Sequence, residues 1–193
     1  MTITYRVGDG LYINMTNRCT SDCLFCIRNC TDSVGDADSL WLEREPSREE
    51  LLRDIQSRDL TQYSEIVFCG FGEPTMRLDD LLWLCKQIKQ ICDLSIRVNT
   101  NGHASLIAGY DTAPMFAGLV DSMNVSLNAA DANEYNELCK PVFGMEAYQG
   151  MLEFAKDVKK YVPQVVLSIV AGTTDQDACS KVADEVGLSL RIR

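Results

Sequence analysis

The sequence predicts an α/β fold built on a parallel sheet of six strands. Two observations carry this expectation. Short apolar runs recur along the chain, separated by stretches with helical spacing, and strand-then-helix alternation gives parallel sheets with right-handed crossovers. Polar or glycine-containing motifs follow those runs directly, and parallel β/α folds gather ligand sites at the carboxyl ends of their strands. The motifs therefore point to one mouth.

The first strand is read at Leu11-Tyr12-Ile13-Asn14-Met15. A long polar connection from Ile27 to Pro46 follows the next loop and is expected to lie over the mouth. Ser47-Arg48-Glu49-Glu50 has the spacing of a capping box, and Leu51, Leu52 and Ile55 give the helix an apolar face. Ile66-Val67-Phe68-Cys69 is a buried strand ending in Gly70-Phe71-Gly72-Glu73-Pro74. Asp79 to Cys92 reads as a helix, and Leu94 to Val98 as a strand running into Asn99-Thr100-Asn101-Gly102. After a weaker helical piece near 113–119, Val120 to Leu127 is a strand ending at Ser126-Leu127-Asn128-Ala129. Helical stretches at Asp131–Leu138 and Met145–Tyr161 precede a strand at Val165–Val170. A helix from Gln176 to Val186 stops at Gly187, a good cap position, and Leu188 to Arg193 forms the sixth strand. The alternation amounts to a partial (β/α)6 TIM-like barrel, expected to be one domain over residues 1–193.

Cys19, Cys23 and Cys26 stand at spacing C-x3-C-x2-C just after the first strand. Thiols this close fold around one inorganic centre, and a tetrahedral zinc or cubane cluster takes four ligands. Three thiolates leave one corner open for a substrate. On spacing alone a zinc knuckle, an electron-carrying cluster and ordinary reduced cysteines remain alternatives. Gly70 and Gly72 let backbone approach a neighbour closely, Glu73 can accept hydrogen bonds from an ammonium group, and Ser126 and Asn128 share one strand face.

C-x3-C-x2-C with the aromatic Phe25 before its last cysteine resembles the signature of the radical S-adenosylmethionine (SAM) enzymes. The resemblance implies a radical SAM core in which the three cysteines bind a [4Fe–4S] cluster and SAM chelates its open iron. It implies that Phe25 packs near the adenine, that Gly70, Gly72 and Glu73 hold the SAM amino group, and that Asn99 and Asn101 line the SAM pocket. Ser126 and Asn128 then contact the ribose and carboxylate, and Val170 packs on the adenine. The stretch Ser168 to Asp175 matches the corresponding family element loosely, with Ser168, Val170 and Asp175 replacing its usual residues. The implied activity is reductive cleavage of SAM to methionine and a 5′-deoxyadenosyl radical that abstracts hydrogen from an unidentified substrate. No catalytic residue is assigned beyond the cluster.

Leu11 to Cys19, Phe25-Cys26-Ile27-Arg28, Val125 to Ala129 and Leu138-Cys139-Lys140-Pro141 through Phe154 resemble the small TatD-linked radical SAM proteins. That resemblance implies a TatD-type hydrolase as partner, and a flavodoxin- or ferredoxin-type one-electron reductant. Glycyl-radical activating enzymes and deazapurine-forming enzymes are comparators. The rival reading is an iron–sulfur electron-transfer or regulatory module, for instance of a TatD-type hydrolase, without radical catalysis. A fourth thiolate would compete with SAM, so Cys30 is read as a non-ligand. Arg28 and Lys140 are candidate anion contacts or plain surface charges, and His103 is read as a solvated loop histidine.

Eighteen Lys and Arg against 28 Asp and Glu give a net charge of −10, which argues against broad nucleic-acid binding. No apolar run reaches membrane-span length and no signal-peptide pattern opens the chain, so a cytoplasmic location is expected. Nine cysteines in such a protein suggest metal chemistry and a reducing setting. Cys69 is read as a small buried hydrophobe ending its strand, and Cys85, Cys92, Cys139 and Cys179, scattered on helical stretches, are expected to be core, leaving no second cluster.

Overall fold

Seven strands, not six, form one open sheet in the order of the chain. The structure is a computed structural model that describes residues 1–193. The additional strand is β1 (Thr4–Val7), which pairs antiparallel with β2 (Gly10–Ile13) through a two-residue turn at Gly8 and Asp9. Gly8 has φ 57°, the positive value that a tight hairpin demands at its first turn position. Strict alternation of strand and helix therefore begins only at β2.

From β2 onward every strand is parallel to the last: β3 (Glu65–Phe68), β4 (Ser95–Thr100), β5 (Ser122–Ser126), β6 (Gln164–Ile169) and β7 (Ser189–Ile192). β1 and β7 do not pair, so the sheet curves without closing. The crossovers carry α1 (Arg48–Gln56), α2 (Leu78–Ile91), α3 (Ala104–Ala108), α4 (Ala132–Cys139), α5 (Glu146–Val158) and α6 (Gln176–Glu185). No helix is long and apolar enough to cross a membrane.

The expected helix ends hold in detail. Ser47 Oγ accepts from Glu50 N while Glu50 returns a bond to Ser47 N, so both halves of the capping box form. α6 ends ahead of Gly187, at φ 69°. α3 was not expected; it follows Gly102 (φ 79°) in a stretch that reads locally as a polar turn.

Strand alternation divides the sheet. One face sends Leu11, Ile13, Ile66, Phe68, Ile96, Val98, Met123, Val125, Leu167 and Ile169 into the core, where Leu51, Leu84, Ile88 and Phe154 of the helices meet them. The opposite face carries Tyr12, Arg97, Asn99, Asn124, Ser126 and Ser168, and is the concave side. Burying the apolar face, at about 25 cal/mol per Å2, holds the helices in place and leaves the polar face free for chemistry.

Candidate active site

The loop bearing Cys19, Cys23 and Cys26 leaves the end of β2 and is clamped from two sides. Asp22 N donates to Cys139 O at 3.0 Å and Leu24 N to Leu138 O at 2.9 Å, so the loop is bound to the last turn of α4. Val142 N donates to Thr20 O at 2.9 Å, and Ser21 bridges to Pro141. On the other side Glu73 N donates to Arg18 O at 2.8 Å. A Cβ at Gly72 would lie 2.3 Å from Thr16 O and 2.6 Å from Arg18 O, so this glycine admits backbone of the loop itself. Gly70 is likewise pressed on Asn14, whose Oδ1 would be 2.1 Å from an added Cβ.

Glu73 is buried at the centre of this clamp. Its Oε1 accepts from Thr75 N (3.0 Å), Thr75 Oγ1 (2.7 Å) and Thr100 Oγ1 (2.8 Å), and its Oε2 accepts from Asn101 N (2.7 Å). Burial pushes its carboxyl above the ordinary value, and these donors pull it back. Asn101 Nδ2 donates to Thr20 Oγ1 at 2.8 Å and reaches Cys19 Sγ at 3.8 Å. Ser21 N also points at Cys19 Sγ, at 3.4 Å. Burial, and then the nearby Glu73, push the Cys19 thiol up to about 12.

His103 is fully buried, which corrects its reading as a solvated loop residue. Nδ1 lies 2.9 Å from Thr20 Oγ1 and Nε2 3.0 Å from the Tyr135 hydroxyl, with Phe143 and Tyr135 edge-on to the ring. Burial lowers its pKa to about 4, so the ring is neutral and supplies one donor and one acceptor. Arg28 is also structural: it donates to Asn17 O (3.3 Å) and Phe71 O (3.4 Å), tying together the two segments that flank the loop. Lys140 caps α4 in the left-handed region with φ 43°.

A cavity of about 560 Å3 opens at the carboxyl ends of the strands. Cys23, Phe25, Cys26, Gly70, Ser126, Asn128 and Val170 all line it. Gly72, Glu73, Asn99, Asn101 and Cys19 are not in its lining. Asn99 instead accepts from Arg97 Nη1 at 3.0 Å, lower on the concave face. Tyr5, Tyr12, Cys69 and Arg193 complete the wall and escaped sequence reasoning as site residues. Cys30, Val34 and Leu40 of the long connection stand at its rim, and Cys30 is exposed. A second, open groove of about 600 Å3 lies around Arg18, Arg77 and Tyr110. It has no thiol, and its arginines are already paired with Glu45 and Asp80.

The donor set suits an iron–sulfur centre. Three thiols lie within eight residues, N–H groups already point at Cys19 Sγ, and Cys23 and Cys26 face the cavity. Asn128, held at φ 58°, keeps a buried Oδ1 without a partner beside them, an acceptor for a ligand's donor. No three cysteine, histidine or carboxylate side chains converge at ligating geometry as the thiols now stand. The neighbouring Cys139, and then burial, push the Cys23 thiol's pKa well above the ordinary value, so it is held protonated. Binding a cluster would require the Cys23 thiol to lose its proton.

Comparison with known families decides the identity of this arrangement. The family model described as the Radical SAM superfamily matches residues 13–185. The chain belongs to the radical SAM superfamily. As a radical SAM protein it is an enzyme whose cofactors are a [4Fe–4S] cluster and SAM. It is 27% identical over 161 residues to a protein named probable GTP 3′,8-cyclase from Thermococcus kodakarensis, covering 83% of this chain and 47% of the relative. A protein of the same name from Methanothermobacter thermautotrophicus is 27% identical over 169 residues, covering 87% of this chain and 50% of that one. The chain thus spans about half the length of the curated relatives it matches. In fold, it is similar to a radical SAM methyltransferase from Sphaerobacter thermophilus (TM-score 0.66, 17% identity, 98% of this chain and 57% of that one). The sheet in this radical SAM chain is open, as the topology shows.

Proposed function

We propose that this enzyme cleaves SAM reductively at the thiol-lined cavity and uses the resulting radical to abstract hydrogen from a substrate. The observation that carries the reading is the convergence of Cys23, Cys26, Phe25, Gly70, Ser126, Asn128 and Val170, from separate strand ends, on one cavity. When bound, the reduced cluster supplies the electron that splits SAM into methionine and a 5′-deoxyadenosyl radical. The chain's own task is to hold and orient. Cys19, Cys23 and Cys26 anchor the cluster, the unpartnered Asn128 Oδ1 accepts a hydrogen bond, and Phe25 and Val170 flank an aromatic base. The apolar wall from Tyr5, Val7, Ile27, Val34 and Leu40 keeps water from a reactive intermediate.

Relatives named as GTP 3′,8-cyclases make a purine nucleotide the first substrate to try. The Leu138–Pro141 stretch, part of the TatD-linked resemblance, grips the cysteine loop. A flavodoxin- or ferredoxin-type donor and a TatD-type hydrolase belong to this proposal as partners.

The test is anaerobic reconstitution with iron and sulfide, reduction, addition of SAM with and without GTP, and chromatography for 5′-deoxyadenosine. Production that vanishes in Cys23→Ala is expected. A well-formed cluster that neither binds SAM nor yields 5′-deoxyadenosine would replace this reading with the electron-transfer module.

A further inference from the structure

Cys139 has no role in the site as described, yet the backbone sets it beside the second cluster cysteine. It closes α4, is buried, and its carbonyl accepts the N–H of Asp22, the residue directly before Cys23. Asn128 Nδ2 donates to Cys139 Sγ at 3.7 Å and fixes the sulfur on that side. The juxtaposition is built into the backbone. The residues on both sides of Cys23, Asp22 and Leu24, donate their N–H groups to Cys139 O and Leu138 O. Such bonds set two chain segments side by side, the arrangement in which disulfides form with Cα atoms about 4.4–6.8 Å apart. The other two loop thiols are differently engaged. Cys19 receives Ser21 N and Asn101 Nδ2, and Cys26 opens on the cavity.

We propose that Cys23 and Cys139 are a reversible disulfide site that closes whenever the cluster is not in place. The bond withdraws one cluster ligand and pins the loop to α4 until it is reduced. Two S–H bonds break and one S–S bond forms. The two electrons and two protons pass to the oxidant, either hydrogen peroxide, which leaves as two waters, or a small-molecule disulfide, which leaves as two thiols. The bond itself does not depend on radical chemistry; only its consequence rests on the reading of Cys23 as a cluster ligand. A cluster-bound Cys23 has its sulfur occupied by iron and is protected.

The chain is treated with glutathione disulfide before and after cluster reconstitution, free thiols are alkylated, and the peptides are mapped by mass spectrometry without reduction. A dominant cross-link between the peptides holding Cys23 and Cys139 is expected before reconstitution and not after it. Iron uptake by the oxidised chain should fall several-fold and return with dithiothreitol, whereas Cys139→Ser should take up iron without that dependence. Pairing of Cys23 with Cys19 or Cys26, or no cross-link at Cys139, overturns the proposal. The wild-type map decides this even where the variant folds poorly, and whatever the 5′-deoxyadenosine assay gives.

Discussion

The imidazole Nδ1 of His103 lies 2.9 Å from the hydroxyl of Thr20, the residue directly after the first cysteine of the loop. Through Tyr135 the same ring reaches α4, which holds the loop's other end. His103 thus couples two supports of the cysteine loop, and its ionisation sets a pH limit on them. The folded ring stays neutral down to about pH 4. The unfolded chain takes up the proton near 6.5, so it binds more protons and stability falls as pH drops through that window. At 1.36 kcal/mol per unit the loss approaches about 3 kcal/mol by pH 4. Urea unfolding at pH 7 and pH 5 should show a smaller acid loss for His103→Gln than for wild type. Equal losses would remove His103 from this role.

Glu73 is held by backbone N–H groups on both carboxylate oxygens, Thr75 N on Oε1 and Asn101 N on Oε2. Glu73→Gln therefore sets an amide NH2 against a backbone N–H whichever way it is turned. The expected cost is about 1–3 kcal/mol, read from the urea midpoint. Unchanged stability with weakened SAM binding would instead make Glu73 a ligand contact alone.

How far the chain could be read from its sequence follows from the range of each interaction. The parallel strands, the capping box at Ser47 and the Gly187 stop are local patterns, and they stand where expected. β1 was missed because four residues, Thr-Tyr-Arg-Val, carry too little periodicity, although Gly8-Asp9-Gly10 marks a hairpin turn. The hold of α4 on the cysteine loop joins residues 22 and 24 to 139 and 138, and no local signal announces such a contact. His103 follows Asn101-Gly102 and reads as loop; only the packing of Tyr135 and Phe143 makes it core.

Gly72→Ala tests whether the clamp beside Glu73 serves the cluster. Its methyl would need space now occupied by Thr16 O and Arg18 O, which are backbone and cannot swing aside. The loop must move at its entry, at a cost of about 1–3 kcal/mol. Iron and sulfide per reconstituted chain should fall well below wild type while the far-ultraviolet circular dichroism is retained. Full cluster loading in this variant would show that the loop tolerates displacement at Arg18.

Val170 directly follows β6 and lines the cavity, with its carbonyl accepting from Thr173 N and Oγ1. It lines the cavity and lies outside the hydrophobic core, so enlarging it should fill the cavity without straining that core. Val170→Trp is expected to weaken SAM binding at least tenfold, about 1.4 kcal/mol, by calorimetry on the reconstituted protein. Its melting temperature and iron content should match wild type. Because the cysteines are untouched, this variant separates occupancy of the cavity from assembly of the cluster. Undiminished SAM affinity with Trp at this position would move the SAM site away from β6.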